Sequence, residues 1–253
     1  MAKIFDTHAH NDDNRFDSDR DEVLRTMLAD EVCGIVQCAT DPASSRAAIA
    51  LAEQYDAIYA AVGFHPENLE GLCDNDLEEC RRLLTHPKVV AVGEIGLDYY
   101  WDSSPRPVQQ EWFLKQIHMA KDADLPVIVH DRDAHEDTLT LLKNTKPRGV
   151  LHAFSGSVEM AKEILDLGMH IGLGGVVTFK NARKTVEVAQ MIPLDRLLLE
   201  TDAPYMSPEP FRGRRNDSTK IRFVAQRIAD ERGMTADEIL DITAENARRL
   251  FGI

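Results

Sequence analysis

Six residues scattered from one end of the chain to the other are of the types that bind divalent metals: His8, His10, Glu94, His130, His152 and Asp202. Imidazole nitrogens suit zinc, manganese and iron, and carboxylate oxygens also admit magnesium. Each residue alone has an ordinary explanation. A histidine after an apolar run is more often a hydrogen-bonded core or loop residue than a ligand, and an aspartate ahead of a helix is a common cap. Glu94 resists such an explanation. It stands inside the apolar stretch VVAVGEIGL, where an unpaired carboxylate carries a heavy desolvation cost and needs a partner or a metal.

A repeated pattern can bring the six together. Eight apolar runs recur: KIFDTHAH, GIVQCAT, IYAAVGFHP, VVAVGEIGLD, PVIVHDR, GVLHAFSG, HIGLGGVVT and LLLETDAP, each followed by a longer amphipathic segment. Near-continuous Val, Ile and Leu content is what parallel strands buried on both faces display. Between them, SVEMAKEILDLG puts Val158, Ala161, Ile164 and Leu165 on one helix face, with Gly168 placed to end it. The last helix is expected to open on a capping box, Thr235 to Glu238, and to carry Leu240, Ala244, Ala247 and Phe251 on one stripe. Eight β-then-α units in 253 residues predict an α/β fold of the (β/α)8 TIM-barrel type, one domain over residues 1–253. A doubly wound sheet would show a Gly-rich G-x-G-x-x-G turn after the first strand, and the sequence has none.

Barrel enzymes build their sites at the C-terminal ends of the strands. His8 and His10 share one face of the first strand by their i, i+2 spacing. Glu94 lies in the fourth, His130 ends the fifth, His152 belongs to the sixth and Asp202 ends the eighth. Four histidines and two carboxylates exceed one tetrahedral structural zinc, which would also favour cysteine. They match two adjacent divalent ions, Zn, Mn or Mg, sharing a carboxylate and a water.

Composition narrows the setting. Cys33, Cys38, Cys73 and Cys80 form no C-x-x-C pair, which suits a reducing compartment. No run approaches the length of a membrane span and the start lacks a signal-peptide pattern, so a cytoplasmic protein without a membrane partner is expected. The net charge of −14 argues against broad attraction to nucleic acid, although bound metals can supply local positive charge. One stretch runs against that trend. FRGRRNDSTKIR carries Arg212, Arg214, Arg215, Lys220 and Arg222 against the single acid Asp217.

Taken jointly, DTHAH, GFHP, GEIGLDY, PVIVHDRDA, HAFSG, ETDAPY and RGRRN resemble, in order and spacing, the TatD family of metal-dependent deoxyribonucleases, within the amidohydrolase-like hydrolases. The matching pieces run from Asp6 to Asn216. Many amidohydrolases bridge their metals with a modified lysine on strand four, and Glu94 in that place favours the TatD branch. One departure stands out: the family commonly has a proline soon after RGRRN, where this chain reads Asp217-Ser218.

The resemblance implies that His8, His10, Glu94 and Asp202 serve one ion and Glu94, His130 and His152 the other, with Glu94 bridging. It implies a hydrolase of phosphodiester bonds, expected to be an exonuclease on DNA, with RNA open to the same chemistry. Asp202 is expected to orient or deprotonate the attacking water beside the Glu94-bridged centre. His65, at the end of strand three, is expected on the substrate side. Arg132 is placed either for phosphate or for pairing with Asp131 or Asp133, and Arg212 and Arg214 for backbone phosphates. Glu200 is expected to orient a ligand histidine. The competing reading keeps the centre and changes the bond, to an ester or amide such as an aminoacyl group on tRNA, or to a small phosphoester. A barrel that binds metal without turnover is disfavoured because every ligand position is filled. No obligate protein partner is evident, and His86, His118, His135 and His170 receive no role.

Overall fold

The computed structural model describes residues 3–253, and among them eight strands alternate with nine α-helices. The strands are β1 (Ile4–Ala9), β2 (Val32–Cys38), β3 (Ile58–Val62), β4 (Val89–Asp98), β5 (Val127–Arg132), β6 (Gly149–Leu151), β7 (His170–Leu173) and β8 (Leu197–Leu199). Each pairs in parallel with the next in chain order. The ring closes just beyond β8. Ala203 bridges Ala9, the Asp202 amide donates to the His8 carbonyl at 2.9 Å, and the His10 amide donates to the Ala203 carbonyl at 2.7 Å. The fold is the expected (β/α)8 barrel, a single domain.

The first seven helices are α1 (Arg20–Ala29), α2 (Pro42–Gln54), α3 (Asp74–Leu83), α4 (Arg106–Asp122), α5 (His135–Thr145), α6 (Val158–Asp166) and α7 (Arg183–Met191). Two more, α8 (Ile221–Arg232) and α9 (Ala236–Phe251), follow β8. Their ends obey local chemistry. The Ser157 hydroxyl caps α6, and Thr235 and Glu238 form the capping box of α9, whose chain leaves through Gly252 at a φ of 72°. The stripe of α9 packs Ala244, Leu250 and Phe251 against Phe5, Val36, Ile128 and Leu198 of the strands. Gly34 makes room for the Phe5 ring, which would lie 2.2 Å from a β-carbon there. The N-terminal end of the barrel is thereby filled with side chains, leaving chemistry to the C-terminal end.

β3, β6, β7 and β8 are all shorter than their apolar runs, and the last two show why. The seventh stops at Leu173, because Gly174 and Gly175 lead into a tight turn in which Gly175 lies against the Met206 carbonyl. The eighth stops at Leu199, and Asp202 adopts a left-handed backbone with φ 55°. The Glu200 amide still reaches the Leu173 carbonyl of β7, but the next one goes elsewhere. Thr201 donates its amide to Asp6 Oδ1 at 3.0 Å and its hydroxyl to Asp6 Oδ2 at 2.6 Å.

Asp6 ties this corner together. Its carboxylate is fully buried and also accepts from the Ser218 hydroxyl at 2.7 Å and the His8 amide at 3.2 Å. Burial pushes its carboxyl up to about 7, against the downward pull of the Thr201 and Ser218 donors. The Asp6→Ala variant leaves the buried Thr201 and Ser218 hydroxyls without this partner. It is expected to lose about 2–4 kcal/mol of unfolding free energy, read as a lower urea midpoint at unchanged slope. Parental stability would remove Asp6 from the closure.

Candidate metal centre

Glu94 sits midway along β4 with its side chain 5% exposed, and its two oxygens face two different groups of donors. Oε2 lies 3.3 Å from His8 Nε2 and 3.3 Å from His10 Nε2. Asp202 Oδ1 approaches the same two nitrogens at 3.6 and 3.4 Å. Oε1 lies 2.8 Å from both His130 Nδ1 and His152 Nε2, and 3.4 Å from His65 Nε2. All six residues singled out as metal-binding types in the sequence thus converge on one point.

The outer ring nitrogens decide what the inner ones present. His10 Nδ1 is 3.0 Å from the Cys38 carbonyl, so it carries the proton and leaves the Nε2 lone pair facing inward. His130 does the same with its nitrogens exchanged: Nε2 donates to Asp98 Oδ2 at 2.9 Å. His152 Nδ1 faces Glu200 Oε1 at 3.6 Å, beyond hydrogen-bond distance, and that oxygen accepts from the Ala153 amide at 2.5 Å. Gly172 leaves room for Glu200, whose Oε2 would lie 2.3 Å from a β-carbon at that position. His65 is different. Its Nδ1 accepts from the Glu67 amide at 3.2 Å, so the proton sits on Nε2 and points at Glu94. By distance His65, Glu94 and His130 could hold an ion, but this tautomer makes His65 a donor toward the site.

Inward lone pairs of imidazoles therefore oppose the carboxylates of Glu94 and Asp202, acceptor against acceptor. Only protons or cations resolve such an arrangement. Burial disfavours charge on His10, His130 and His152, yet the facing carboxylates outweigh it. His130 is raised to about 9 by Asp98 and Glu94, and His10 and His152 are raised well above the ordinary histidine value. His8 goes the other way: burial and the stacked His152 ring, 3.9 Å away, hold it neutral. Burial pushes Glu94 up, but His152, His65 and His8 hold its carboxyl well below the usual range. Nitrogen and carboxylate donors without a thiolate fit a hard or borderline divalent ion.

The centre opens into a cavity of about 680 Å³ lined by His10, His65, Glu94, Trp101, Arg132, Asp202 and Tyr205, with Asp12, Asp13, Asp41 and Glu67 on its rim. A larger depression between α1 and α2, about 1190 Å³, is lined by no histidine. Arg132 lies 3.9 Å over the Tyr100 ring and 5.5 Å from that of Trp101. Among the described residues it has no carboxylate partner, since Asp131 pairs with His135 Nδ1 at 2.6 Å. Arg212 and Arg214 do not line this mouth. Their loop is held back by Asn216, which donates to the Thr201 and Tyr205 carbonyls, and by Arg215, whose two nitrogens each lie 2.7 Å from Asp19 oxygens. The unusual Asp217-Ser218 pair is at home here: Asp217 caps the short turn before α8 and Ser218 reaches Asp6.

Asp98, Trp101 and Tyr205 are site residues that sequence reasoning passed over. Asp98 left one usable signal, since its i+4 spacing from Glu94 places both on one face of β4. Its other oxygen accepts from the Tyr100 and Trp101 amides at 3.0 and 2.9 Å, so one carboxylate fixes both His130 and the aromatic lip.

Comparison with known proteins identifies the family. The family profile described as TatD related DNase matches residues 5–252. The uncharacterized metal-dependent hydrolase YabD of Bacillus subtilis is 46% identical over 253 residues, covering 99% of each chain. The 3'-5' ssDNA/RNA exonuclease TatD of Erwinia tasmaniensis is 34% identical over 259 residues, covering 99% of this chain and 100% of that one. The crystal structure of the TatD homologue YjjV from Escherichia coli has a TM-score of 0.93 at 38% identity, covering 99% of this chain and 98% of that one. The chain belongs to the TatD family and is a metal-dependent hydrolase.

Proposed function

We propose that the protein holds two divalent ions astride Glu94 and hydrolyses phosphodiester bonds at the ends of DNA strands, with RNA open to the same chemistry. The observation that carries this reading is the split of donors between the two Glu94 oxygens. His8, His10 and Asp202 with Oε2 would hold one ion, and His130 and His152 with Oε1 the other. Such ions, when bound, would supply Lewis acidity to phosphoryl oxygens and acidify a water for attack. A relative named as an exonuclease on single-stranded DNA and RNA supports the choice of bond. Four unpaired cysteines suit a cytoplasmic setting.

The remaining roles fall to the chain's own side chains. Burial raises the Asp202 carboxyl, but His10 and His8 outweigh it and keep the group ionised. Facing the cavity, Asp202 can take one proton from the attacking water as the water oxygen bonds to phosphorus, the bond to the departing sugar oxygen breaks, and that oxygen takes up a proton from solvent. The unpaired Arg132 guanidinium donates toward phosphate oxygens from the cavity wall, and His65 stands on the same substrate side with its Nε2–H turned to Glu94. Glu200 and Asp98 orient His152 and His130 from behind.

Four outcomes are expected. Uptake of Mn²⁺ must expel protons from His10, His130 and His152. Calorimetric titration near neutral pH in buffers of different ionisation enthalpy should therefore show proton release. Affinity should rise with pH as these three rings give up their protons, His130 at about 9; uptake without protons would contradict the ligand set. Glu200→Gln should weaken metal binding by about 10–100-fold, measured by competition with a chelating dye. End-labelled single-stranded DNA should be shortened only with a divalent ion present and not by Glu94→Ala. Asp202→Asn should keep most of its metal and lose about 10²–10⁴ in turnover. Bound metal without any shortening would move the assignment to ester or amide hydrolysis.

A further inference from the structure

Tyr205 stands between two cavities. One is the mouth over the metal centre, and the other is a groove of about 540 Å³ lined by Arg15, Phe179, Tyr205, Arg212, Arg214 and Arg215. All of these residues come from loops at the C-terminal face of the barrel: the turn after β1, the turn after β7 and the loop between β8 and α8. Tyr205 is 40% exposed and held at both ends. Its hydroxyl donates to Asp13 Oδ2 at 2.7 Å, and its amide donates to the Asp202 carbonyl at 2.8 Å. The Arg15 guanidinium lies 4.6 Å over the ring, and that of Arg212 lies 4.2 Å over Phe179.

The charge of the two cavities differs in sign. The rim of the metal mouth carries Asp12, Asp13, Asp41 and Glu67, which repel a polyanion. The groove beyond Tyr205 carries four guanidinium groups. Asp19 takes Arg215 in a two-pronged pair and Glu209 lies 3.9 Å from Arg212. Exposed Arg15 and Arg214 have no carboxylate partner among the described residues. In a chain of net charge −14, two unpaired arginines beside an exposed, pinned aromatic ring form a local site for an anion that also has a flat face.

We propose that this groove is a track for single-stranded nucleic acid, extending the nuclease reading on which it rests. Tyr205, with Arg15 stacked on it, takes the unpaired base next to the reacting phosphate, and Arg15 and Arg214 bind phosphates further along the strand. A base held in a duplex cannot stack on the ring, so the track selects single strands. Nothing in the chemistry of the metal centre needs these residues. Their contribution therefore grows with the number of nucleotides beyond the scissile bond.

The test compares metal-loaded parent and Arg15→Ala/Arg214→Ala protein on a dinucleotide and on a single strand of about fifteen nucleotides, within the range one binding groove spans. The KM for the long strand is expected to rise at least about tenfold more than that for the dinucleotide, with kcat moving little, since phosphate contacts remote from the reacting bond act on binding. Tyr205→Leu should blunt the same length dependence, and Tyr205→Phe, which keeps the ring, should restore most of it. Equal effects on both lengths, or none, would overturn the track. Should the parent cleave neither substrate, the nuclease reading falls. Fluorescence anisotropy of the labelled long strand on the metal-loaded proteins then decides the track alone. Weaker binding by the double variant, with a shallower salt dependence, upholds it, and equal binding removes it.

Discussion

A carboxylate buried to 5% exposure inside a barrel strand, with ring nitrogens of five imidazoles within 3.4 Å of its oxygens, is the constraint around which the open end of this molecule is built. Removed from water alone, Glu94 would be strongly destabilising. Apart from His65, whose Nε2–H points at it, its neighbours do not relieve it as ordinary hydrogen-bond donors, because His10 and His130 spend their protons outward on Cys38 and Asp98. What remains is a set of lone pairs directed at one another, which a positive charge must join. The rest of the barrel keeps that set in place: α9 and the Phe5 cluster fill the opposite end, and Asp6 locks the seam between β1 and the segment beyond β8.

Orientation of the centre and shape of the mouth are linked through shared groups. Asp98 grips His130 with one oxygen and the amides of Tyr100 and Trp101 with the other, so the ring and the lip holding Arg132 move together. On the far side, the Asp202 carbonyl accepts the Tyr205 amide, tying the candidate proton acceptor to the wall between mouth and groove. Substrate contacts thus rest on the same short connections that set the ligands, as expected for sites carried by loops on a rigid scaffold.

Much of this was legible in the sequence for a physical reason. Ionisable side chains at the ends of buried apolar runs are costly, and barrel geometry allows them one destination, so His8, His10, Glu94, His130, His152 and Asp202 could be read together. The capping box of α9 was equally plain because its chemistry is local. Features set by distant partners were not. Asp202 leaves the strand because Asp6 takes the preceding Thr201 amide, and Arg212 and Arg214 lie in a separate groove because Asn216 and the Arg215–Asp19 pair hold their loop. Asp98 shows its purpose only once β4 and β5 are side by side.

The most direct test is anomalous diffraction from crystals grown with Mn²⁺. Two peaks about 3.5–4 Å apart are expected, one against Glu94 Oε2 with His8, His10 and Asp202 and one against Oε1 with His130 and His152. A single peak, or density away from Glu94, would contradict the two-ion centre.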